Sequence, residues 1–253
     1  TRLGAGGGLD CHSFAPLIDS ADMGPGQWNR ILDLIDRHPG QPVLLTHGTD
    51  TMAFTGAALD RALTGSGRRV ILCGAMAPLG GDGVAERTLE LALTLARAPE
   101  SGVLLAFDGG CLPAAGLVKQ HSRDGEAFAS LPQPPARPPA RRRFDDRRLA
   151  VLTLSPGLSA EVLAAQLAPL DGAVLRLYGA GTAPTDPAFL GGLESAIRAG
   201  KRLRAVSQCL RGGLAPGAYA AGAPLWEAGV ENGGLETPET ALAELWLGQG
   251  RSG

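Results

Sequence analysis

Short runs of leucine and β-branched residues alternate along the chain with segments in which apolar residues recur every three or four positions. This alternation is typical of parallel β-strands connected by helices. The clearest helical segment contains Trp28, Ile31, Leu32 and Ile35, spaced i, i+3, i+4, i+7, and Asp22 precedes it as a candidate cap. The pattern therefore predicts an α/β fold.

The same pattern predicts further elements in both halves of the chain. In the first half it predicts a buried strand that ends at Thr46, a helix with its inner face at 52, 55, 59, 62 and 63, a strand at 70–72, a helix over 84–97 and a strand at 103–105. In the second half it predicts strands near 149–154, 173–177 and 203–207, and helices near 159–168, 187–199 and 238–247. Thr237 and Pro238 supply a cap and a first-turn proline for the last helix.

Residues 132–148 differ sharply in composition from the segments on either side. Five prolines and six arginines among these seventeen residues exclude a helix or an inner strand. We interpret the segment as a linker between an N-terminal α/β domain at 1–131 and a C-terminal α/β domain at 149–253. Its arginines could contact RNA, but Asp145 and Asp146 interrupt the run, which favours a solvated linker.

Charge and hydropathy exclude two classes of partner. The chain has 23 basic and 25 acidic residues, a formal net charge of -2 at pH 7, so no global field attracts nucleic acid. No apolar run approaches the roughly 20 residues that a membrane-spanning helix needs. The sequence therefore predicts neither a nucleic-acid nor a membrane partner.

Cysteine and histidine spacing gives no sign of a metal site or a disulfide framework. The four cysteines form no C-x-x-C pair and the four histidines no H-x-x-x-H pair, so we expect no metal site. Cys73 lies in an apolar run and is predicted to be a small buried side chain.

Polar residues bracketed by glycine follow two of the predicted strands, at 46–51 and at 74–76. Parallel sheets place ligand sites at the carboxyl ends of their strands. Thr49 beside Asp50 is a candidate hydroxyl with part of the apparatus that activates it. Threonine and aspartate are also good helix caps, and on local grounds alone a capping role for the next helix is favoured.

Several strings of the chain resemble the bacterial L-asparaginase/glutaminase family, and they run in family order from about His12 to Leu247. The strings are Thr46-His47-Gly48-Thr49-Asp50-Thr51-Met52, which is the most specific, Pro16-Leu17-Ile18-Asp19-Ser20-Ala21-Asp22-Met23, Val118-Lys119 with Ala127-Phe128-Ala129-Ser130, Ser155-Pro156-Gly157-Leu158-Ser159-Ala160, and Leu177-Tyr178-Gly179-Ala180-Gly181. The details are most similar to the cytoplasmic type I enzymes. The resemblance implies a larger, flavodoxin-like parallel-sheet domain followed by a smaller C-terminal α/β domain.

The resemblance also implies catalytic roles for three residues. Thr49 would contact the scissile amide or the attacking water, and Asp50 and Lys119 would form a buried pair that accepts and relays the threonine proton. A partly buried lysine can serve as a base near neutral pH, in agreement with this role. For Lys119 taken alone, a solvated surface lysine is the default interpretation.

The substrate-binding residues implied by the resemblance lie in two of the strings. Asp19 and Ser20, with the backbone near Ala21, would hold the α-amino and α-carboxylate groups of the substrate, and Gly48 would line the same pocket. The alternative for 16–23 is an ordinary turn leading into the first helix.

The implied activity is hydrolysis of L-asparagine to L-aspartate and ammonia through a threonyl acyl-enzyme, with weak activity on L-glutamine. The implied protein is a cytoplasmic homodimer or homotetramer that needs no cofactor. Two alternatives stay open: the amidase subunit of a tRNA-dependent amidotransferase, and a non-enzymatic amino-acid-binding paralogue.

The chain departs from the family pattern at three places. Thr1-Arg2-Leu3-Gly4 does not match the T-G-G-T-I loop whose first threonine is acylated, so we expect one strand and its mobile nucleophile loop to lie upstream of Thr1. Thr182 stands where relatives often have asparagine, and Glu86 replaces the asparagine that often follows the pair equivalent to Asp82-Gly83. These two substitutions bear on substrate preference.

Overall fold

The computed structural model describes residues 9–77, 79–81, 83–218 and 222–248. The first four residues, where the chain departs from the family's nucleophile loop, and Asp82 lie outside the described residues.

Helices and strands alternate as the hydrophobic pattern predicts. The helices are α1 (Pro25–Arg37), α2 (Met52–Leu63), α3 (Val84–Ala96), α4 (Ala160–Leu167), α5 (Pro187–Arg198), α6 (Ala223–Glu227) and α7 (Pro238–Leu247), with a short 3₁₀ helix at Ser20–Asp22. The strands are β1 (Val43–Thr46), β2 (Arg69–Cys73), β3 (Gly102–Phe107), β4 (Gly110–Pro113), β5 (Leu117–Lys119), β6 (Phe128–Ser130), β7 (Leu149–Thr153), β8 (Gly172–Leu177), β9 (Arg202–Ser207) and β10 (Glu231–Asn232). The sequence pattern missed α6, β4, β5, β6 and β10, which are too short to show a period of their own.

The strands form two four-stranded sheets and one hairpin. The first sheet has the order β1-β2-β3-β4, parallel except for β4, and the second has the order β10-β9-β8-β7, parallel throughout. β5 and β6 pair as a separate antiparallel hairpin. The α/β class with two sheet domains is therefore confirmed.

Strand β1 is less buried than its apolar sequence predicts. Its residues are half-buried or exposed, whereas all five residues of β2 are buried. In the described part of the chain β1 has a sheet neighbour on one side only, and an edge strand leaves one flank open.

The start of the first helix corrects one prediction. The inner face at Trp28, Ile31, Leu32 and Ile35 is buried as predicted, but the N-cap is Gly24 rather than Asp22. Asp22 belongs to the 3₁₀ helix, which the side chain of Asp19 caps. The chain thus makes a separate turn before α1, and this turn separates the candidate substrate-binding residues from the helix.

Helix α7 begins as predicted and joins the two halves of the molecule. The Thr237 hydroxyl accepts a hydrogen bond from the Thr240 backbone N–H at 3.2 Å, and Pro238 occupies the first turn. Trp246 packs edge-on against Trp28 of α1, with ring centroids 5.6 Å apart. The last described helix therefore completes the hydrophobic core of the N-terminal half.

The Pro/Arg-rich segment at 132–148 is docked rather than freely solvated, which corrects that prediction. Phe144 is buried, and its backbone exchanges two hydrogen bonds with the Asn29 side chain, at 2.7 and 2.9 Å. Arg143 forms ion pairs with Asp33 and Asp36 of α1. Arg143 thus pairs with carboxylates that lie more than 100 residues away in the sequence, and local composition could not indicate this pairing.

Candidate active site

The carboxyl end of β1 leads directly into the most polar loop of the N-terminal domain. β1 ends at Thr46, α2 begins at Met52, and residues 47–51 connect them. The His47 backbone N–H donates to Cys73 O at 2.9 Å, so the loop leaves the sheet beside the end of β2. This is the edge at which open parallel sheets bind ligands.

Lys119, from the end of β5, meets two side chains of this loop. Its Nζ donates to Thr49 Oγ1 at 3.0 Å and to Asp50 Oδ1 at 2.8 Å. The register of the hairpin places Lys119 opposite Phe128. Three residues that are up to 70 positions apart in sequence therefore form one hydroxyl–amine–carboxylate constellation.

The two simpler interpretations of these residues are wrong. The N-cap residue of α2 is Thr51, so neither Thr49 nor Asp50 caps the helix. The side chain of Lys119 is only 19% exposed, which a solvated surface lysine would not be. The polar atoms of all three residues are directed towards one another instead.

The expectation that Asp50 and Lys119 form a buried pair is also wrong in the described chain. The Asp50 side chain is 68% exposed. Asp50 lies in a loop at the open edge of the sheet, where no described element covers it. The constellation is therefore accessible to a small molecule from solvent.

The 3₁₀ helix that contains Ser20 packs directly on this loop. Thr51 Oγ1 donates to Ser20 O at 2.5 Å, and a Cβ atom at Gly48 would lie 2.5 Å from Ser20 Oγ and 2.8 Å from Ser20 Cβ. Atoms this close overlap, so the approach of the two segments requires glycine at position 48. Two segments that the sequence predicted to bind substrate are thus in contact.

Asp19 both shapes this segment and faces solvent. One carboxylate oxygen accepts the backbone N–H of Ala21 at 2.9 Å, in an exposed environment. The alternative interpretation of 16–23 as a turn is correct for its backbone, and the turn leaves the second carboxylate oxygen of Asp19 available to a ligand.

A series of hydrogen bonds runs from the buried side chain of Trp28 to the exposed Gly48 and supports the loop. Trp28 Nε1 donates to Thr55 Oγ1 at 3.0 Å, Thr55 Oγ1 lies 2.9 Å from His47 Nε2, and His47 Nδ1 lies 2.6 Å from Gly48 O. A carbonyl oxygen only accepts, so Nδ1 carries a proton and donates it. Burial lowers the pKa of His47, although the hydrogen bond to Gly48 opposes that effect. The imidazole is then neutral, and its Nε2 accepts from Thr55.

Residue spacing in the sequence did not indicate that these hydrogen-bonded side chains belong to the site. A signal was present, because Thr55 lies on the predicted inner face of α2 and a buried hydroxyl requires a partner. Sequence spacing could not show that the partners are His47 and Trp28.

The two departures from the family pattern inside the described residues take structural roles. Glu86 Oε1 accepts the Gly80 backbone N–H at 2.6 Å and so ties the loop after β2 to the start of α3. Thr182 pairs with Tyr178 through backbone hydrogen bonds at the end of β8.

Comparison with known proteins supports the interpretation of both halves. The family model described as "Asparaginase, N-terminal" matches residues 10–144, and the model described as "Glutaminase/Asparaginase C-terminal domain" matches residues 148–252. The chain belongs to the asparaginase family. Together the two matches span nearly the whole described chain, as the ordered motifs predicted.

Individual relatives agree with this family assignment. L-asparaginase 1 of Escherichia coli K12 is 33% identical over 92% of this chain and 76% of its own length. The solved structure of the thermostable L-asparaginase from Thermococcus kodakarensis superposes with a TM-score of 0.85 at 29% identity, covering 99% of this chain and 83% of that one. L-asparaginase I from Vibrio cholerae gives a TM-score of 0.79 at 33% identity, with 95% and 81% coverage.

Among the described residues of this family member, every helix is too short or too polar to cross a bilayer.

Proposed function

We propose that this asparaginase-family protein hydrolyses the side-chain amide of L-asparagine, giving L-aspartate and ammonia. The observation that carries the proposal is the contact of Lys119 Nζ with both Thr49 Oγ1 and Asp50 Oδ1 at the carboxyl end of β1. A hydroxyl is a weak nucleophile until a base removes its proton, and an amine held by a carboxylate supplies such a base.

The proposed proton relay uses the observed contacts of Lys119 both when its amine accepts a proton and when it donates one. In its protonated form Lys119 donates to Thr49 and Asp50, as the structure has it. In its neutral form the same nitrogen accepts the proton of a threonine or water hydroxyl and then passes it to the nitrogen of the breaking amide bond, which leaves as ammonia. Asp50 orients the amine throughout and stabilises the ammonium form that appears during the transfer.

We extend the proposal to a two-step reaction in which a threonyl acyl-enzyme is first formed and then hydrolysed. A threonine oxygen adds to the amide carbon, the C–N bond breaks with release of ammonia, and water then cleaves the ester to give L-aspartate. In this scheme Thr49 orients the amide or the attacking water and is not itself acylated. Rapid acid quenching with L-asparagine, followed by peptide mass spectrometry, locates the acyl group. An acyl group on Thr49 would overturn the role assigned to it.

The substrate's α-amino and α-carboxylate groups are assigned to Asp19, Ser20 and the Ala21 backbone, with Gly48 lining the pocket. Support comes from the direct packing of Ser20 on Gly48, which brings this segment against the catalytic loop. The free carboxylate oxygen of Asp19 suits an α-ammonium group, because charge-assisted hydrogen bonds are the stronger kind.

We also propose that a second copy of the chain covers the site in a homodimer or homotetramer. Leu17, two residues before Asp19, is 83% exposed, and Asp50 is largely open to solvent. An exposed large apolar side chain beside a binding site is typical of a surface that another chain covers. Light scattering on the purified protein tests this. The cytoplasmic location that the resemblance implies stays a prediction.

The function is tested by measuring ammonia release from purified protein with L-asparagine and, separately, with L-glutamine. We expect L-asparagine to be hydrolysed and L-glutamine to be hydrolysed more slowly. Binding of L-asparagine by calorimetry without any ammonia release would contradict the proposal and would favour an amino-acid-binding paralogue. Release of ammonia from L-glutamine alone would favour an amidotransferase subunit.

A further inference from the structure

Two histidines and an aspartate that are distant in sequence meet on the surface at the end of α1. Asp10 Oδ2 lies 3.1 Å from His12 Nε2 and 3.7 Å from His38 Nε2. One ligand atom from each of the three residues lies within 4.8 Å of the other two. The two imidazole rings have their centroids 5.4 Å apart and are tilted by 52°. Histidine spacing in the sequence gave no sign of this cluster, because His12 and His38 come together only through the fold.

The separations fit the ligand shell of one metal ion. Ligand atoms at about 2.0–2.2 Å from a tetrahedral zinc ion are roughly 3.3–3.5 Å apart. Asp10 Oδ2 lies close to that distance from both imidazole nitrogens, and the two histidine ligand atoms, which lie within 4.8 Å of each other, need to approach by at most about 1.5 Å. Two imidazole nitrogens with one carboxylate are a donor set that suits zinc.

One of the three ligands is already fixed in place. His38 is the C-cap residue of α1: its backbone N–H donates to Ile35 O, and its carbonyl accepts from Arg68. Asp10 and His12 lie on the segment that leads towards Asp19 and are exposed. A metal ion held by all three would therefore fasten this segment to the end of α1 while solvent water completes the ion's coordination.

We propose that Asp10, His12 and His38 form a binding site for one zinc ion. The site shares no residue with the Lys119 constellation, and the ion clamps residues 10–12 onto α1 without entering the reaction. An ordinary surface ion pair is the competing account of the Asp10–His12 contact, since such pairs are common and weak.

Calorimetric titration of the untagged full chain with Zn²⁺ tests the site directly. We expect one ion to bind per chain, and His12→Ala or His38→Ala to weaken binding at least about tenfold, because even a partner of a metal ligand is worth about 10- to 100-fold in affinity. His121→Ala is the matched control, since His121 accepts hydrogen bonds from the Arg123 and Asp124 backbone instead. Unchanged affinity in the His12→Ala, His38→Ala double variant would overturn the proposal.

Cobalt substitution identifies the donor atoms. Co²⁺ bound by nitrogen and oxygen ligands absorbs in the visible range without a thiolate charge-transfer band. We expect that spectrum from the native chain, and we expect it unchanged in Cys11→Ser, which removes the exposed thiol between Asp10 and His12. A thiolate band that disappears in Cys11→Ser would show a different donor set and would contradict the site as proposed.

The clamp has a consequence for stability that an incidental ion would not produce. Zinc at about one hundred times its dissociation constant should raise the Tm of the native chain by roughly 5–10 °C. The double variant should show no such rise. A zinc-dependent rise of equal size in the double variant would place the ion elsewhere and would overturn the proposal.

Discussion

The two parallel sheets of this protein use the polar residues at their strand ends in opposite ways. In the C-terminal sheet, Gln208 Nε2 donates to Leu154 O at 2.7 Å and to Arg176 O at 2.9 Å, so its amide links the ends of β7 and β8. In the N-terminal sheet, Lys119 Nζ contacts both Thr49 and Asp50, and the Asp50 carboxylate remains open to solvent. Position at the carboxyl edge of a parallel sheet therefore does not by itself make a site.

The difference lies in whether the polar side-chain atoms already form hydrogen bonds with the backbone. Ser207 Oγ donates to Gly179 O at 2.6 Å and accepts from the Cys209 N–H at 2.9 Å. A side chain committed in this way stabilises a turn and has little capacity left for a substrate. The exposed carboxylate of Asp50 retains the capacity to form a hydrogen bond with a substrate. Similar architecture can thus serve structure in one half of a chain and chemistry in the other.

Replacing a lysine in each half gives the sharpest test of this comparison. Lys119→Met should lower turnover of L-asparagine at least about a hundredfold, because it removes the proposed general base. Lys201→Met is the matched control: Lys201 Nζ donates to the carbonyls of Ala168 and Leu170 and lies in the C-terminal half. Turnover of L-asparagine by the Lys201→Met variant should equal that of the native chain. Near-native activity of folded Lys119→Met would contradict the assignment.

Replacing a capping aspartate in each half should separate binding from capping. Asp19→Ala should weaken L-aspartate binding about 10- to 100-fold, since it removes a charge-assisted contact to the α-ammonium group. Asp186→Ala removes the cap that accepts from Phe189 N in α5 and should cost about 1 kcal/mol of stability without affecting binding. Calorimetric titration measures the affinity of each variant for L-aspartate, and denaturant unfolding measures the stability of Asp186→Ala. Equal affinities for the two variants would show that Asp19 is only a cap.

A methyl group added at a glycine in each half tests the packing under the site. Gly48→Ala forces Ser20 away from the catalytic loop and should lower the free energy of unfolding by at least about 1 kcal/mol, together with turnover. Gly191→Ala, in the middle of α5 with open space around it, should raise stability by about 0.5–1 kcal/mol. Denaturant unfolding and ammonia release measure the two effects. A Gly48→Ala protein as stable and active as the native chain would refute the close approach.

The smallest expected effect is a pH dependence that arises from His47, one of the four histidines, all of which precede residue 132. Burial lowers the pKa of His47 in the folded protein below the ordinary value of 6.5, so the unfolded chain binds a proton more readily. Stability from the neutral imidazole is therefore complete above about pH 6.5 and is lost as the pH falls through 6.5 towards the folded-state pKa.

Unfolding free energies at pH 7.5 and at lower pH check this effect. His47→Gln should reduce the loss of stability on acidification, whereas His121→Gln should leave it unchanged. An identical pH profile for the native chain and His47→Gln would contradict the inferred neutral state of His47.

Periodicity predicted the long elements well because their burial follows directly from spacing. The buried face of α1 was predicted from the i, i+3, i+4, i+7 spacing that starts at Trp28, and the start of α7 was predicted from its cap residue Thr237. The short strands around Lys119 were not, because three residues show no period. The domain boundaries at 131 and 149 and the roles of the site residues stay predictions.

The sequence by itself determined the α/β class, the family and the identity of the candidate catalytic residues, because these depend on local patterns and on motif order along the chain. Only the tertiary structure decided which polar atoms meet. The β5–β6 hairpin places Lys119 against Thr49. Thr55 forms hydrogen bonds with His47 and Trp28. Asp10 lies beside His12 and His38 at the end of α1. The same holds for the open environment of Asp50 and the docking of Phe144. Each depends on contacts between segments distant in sequence, and a distance across the fold has no counterpart in residue spacing.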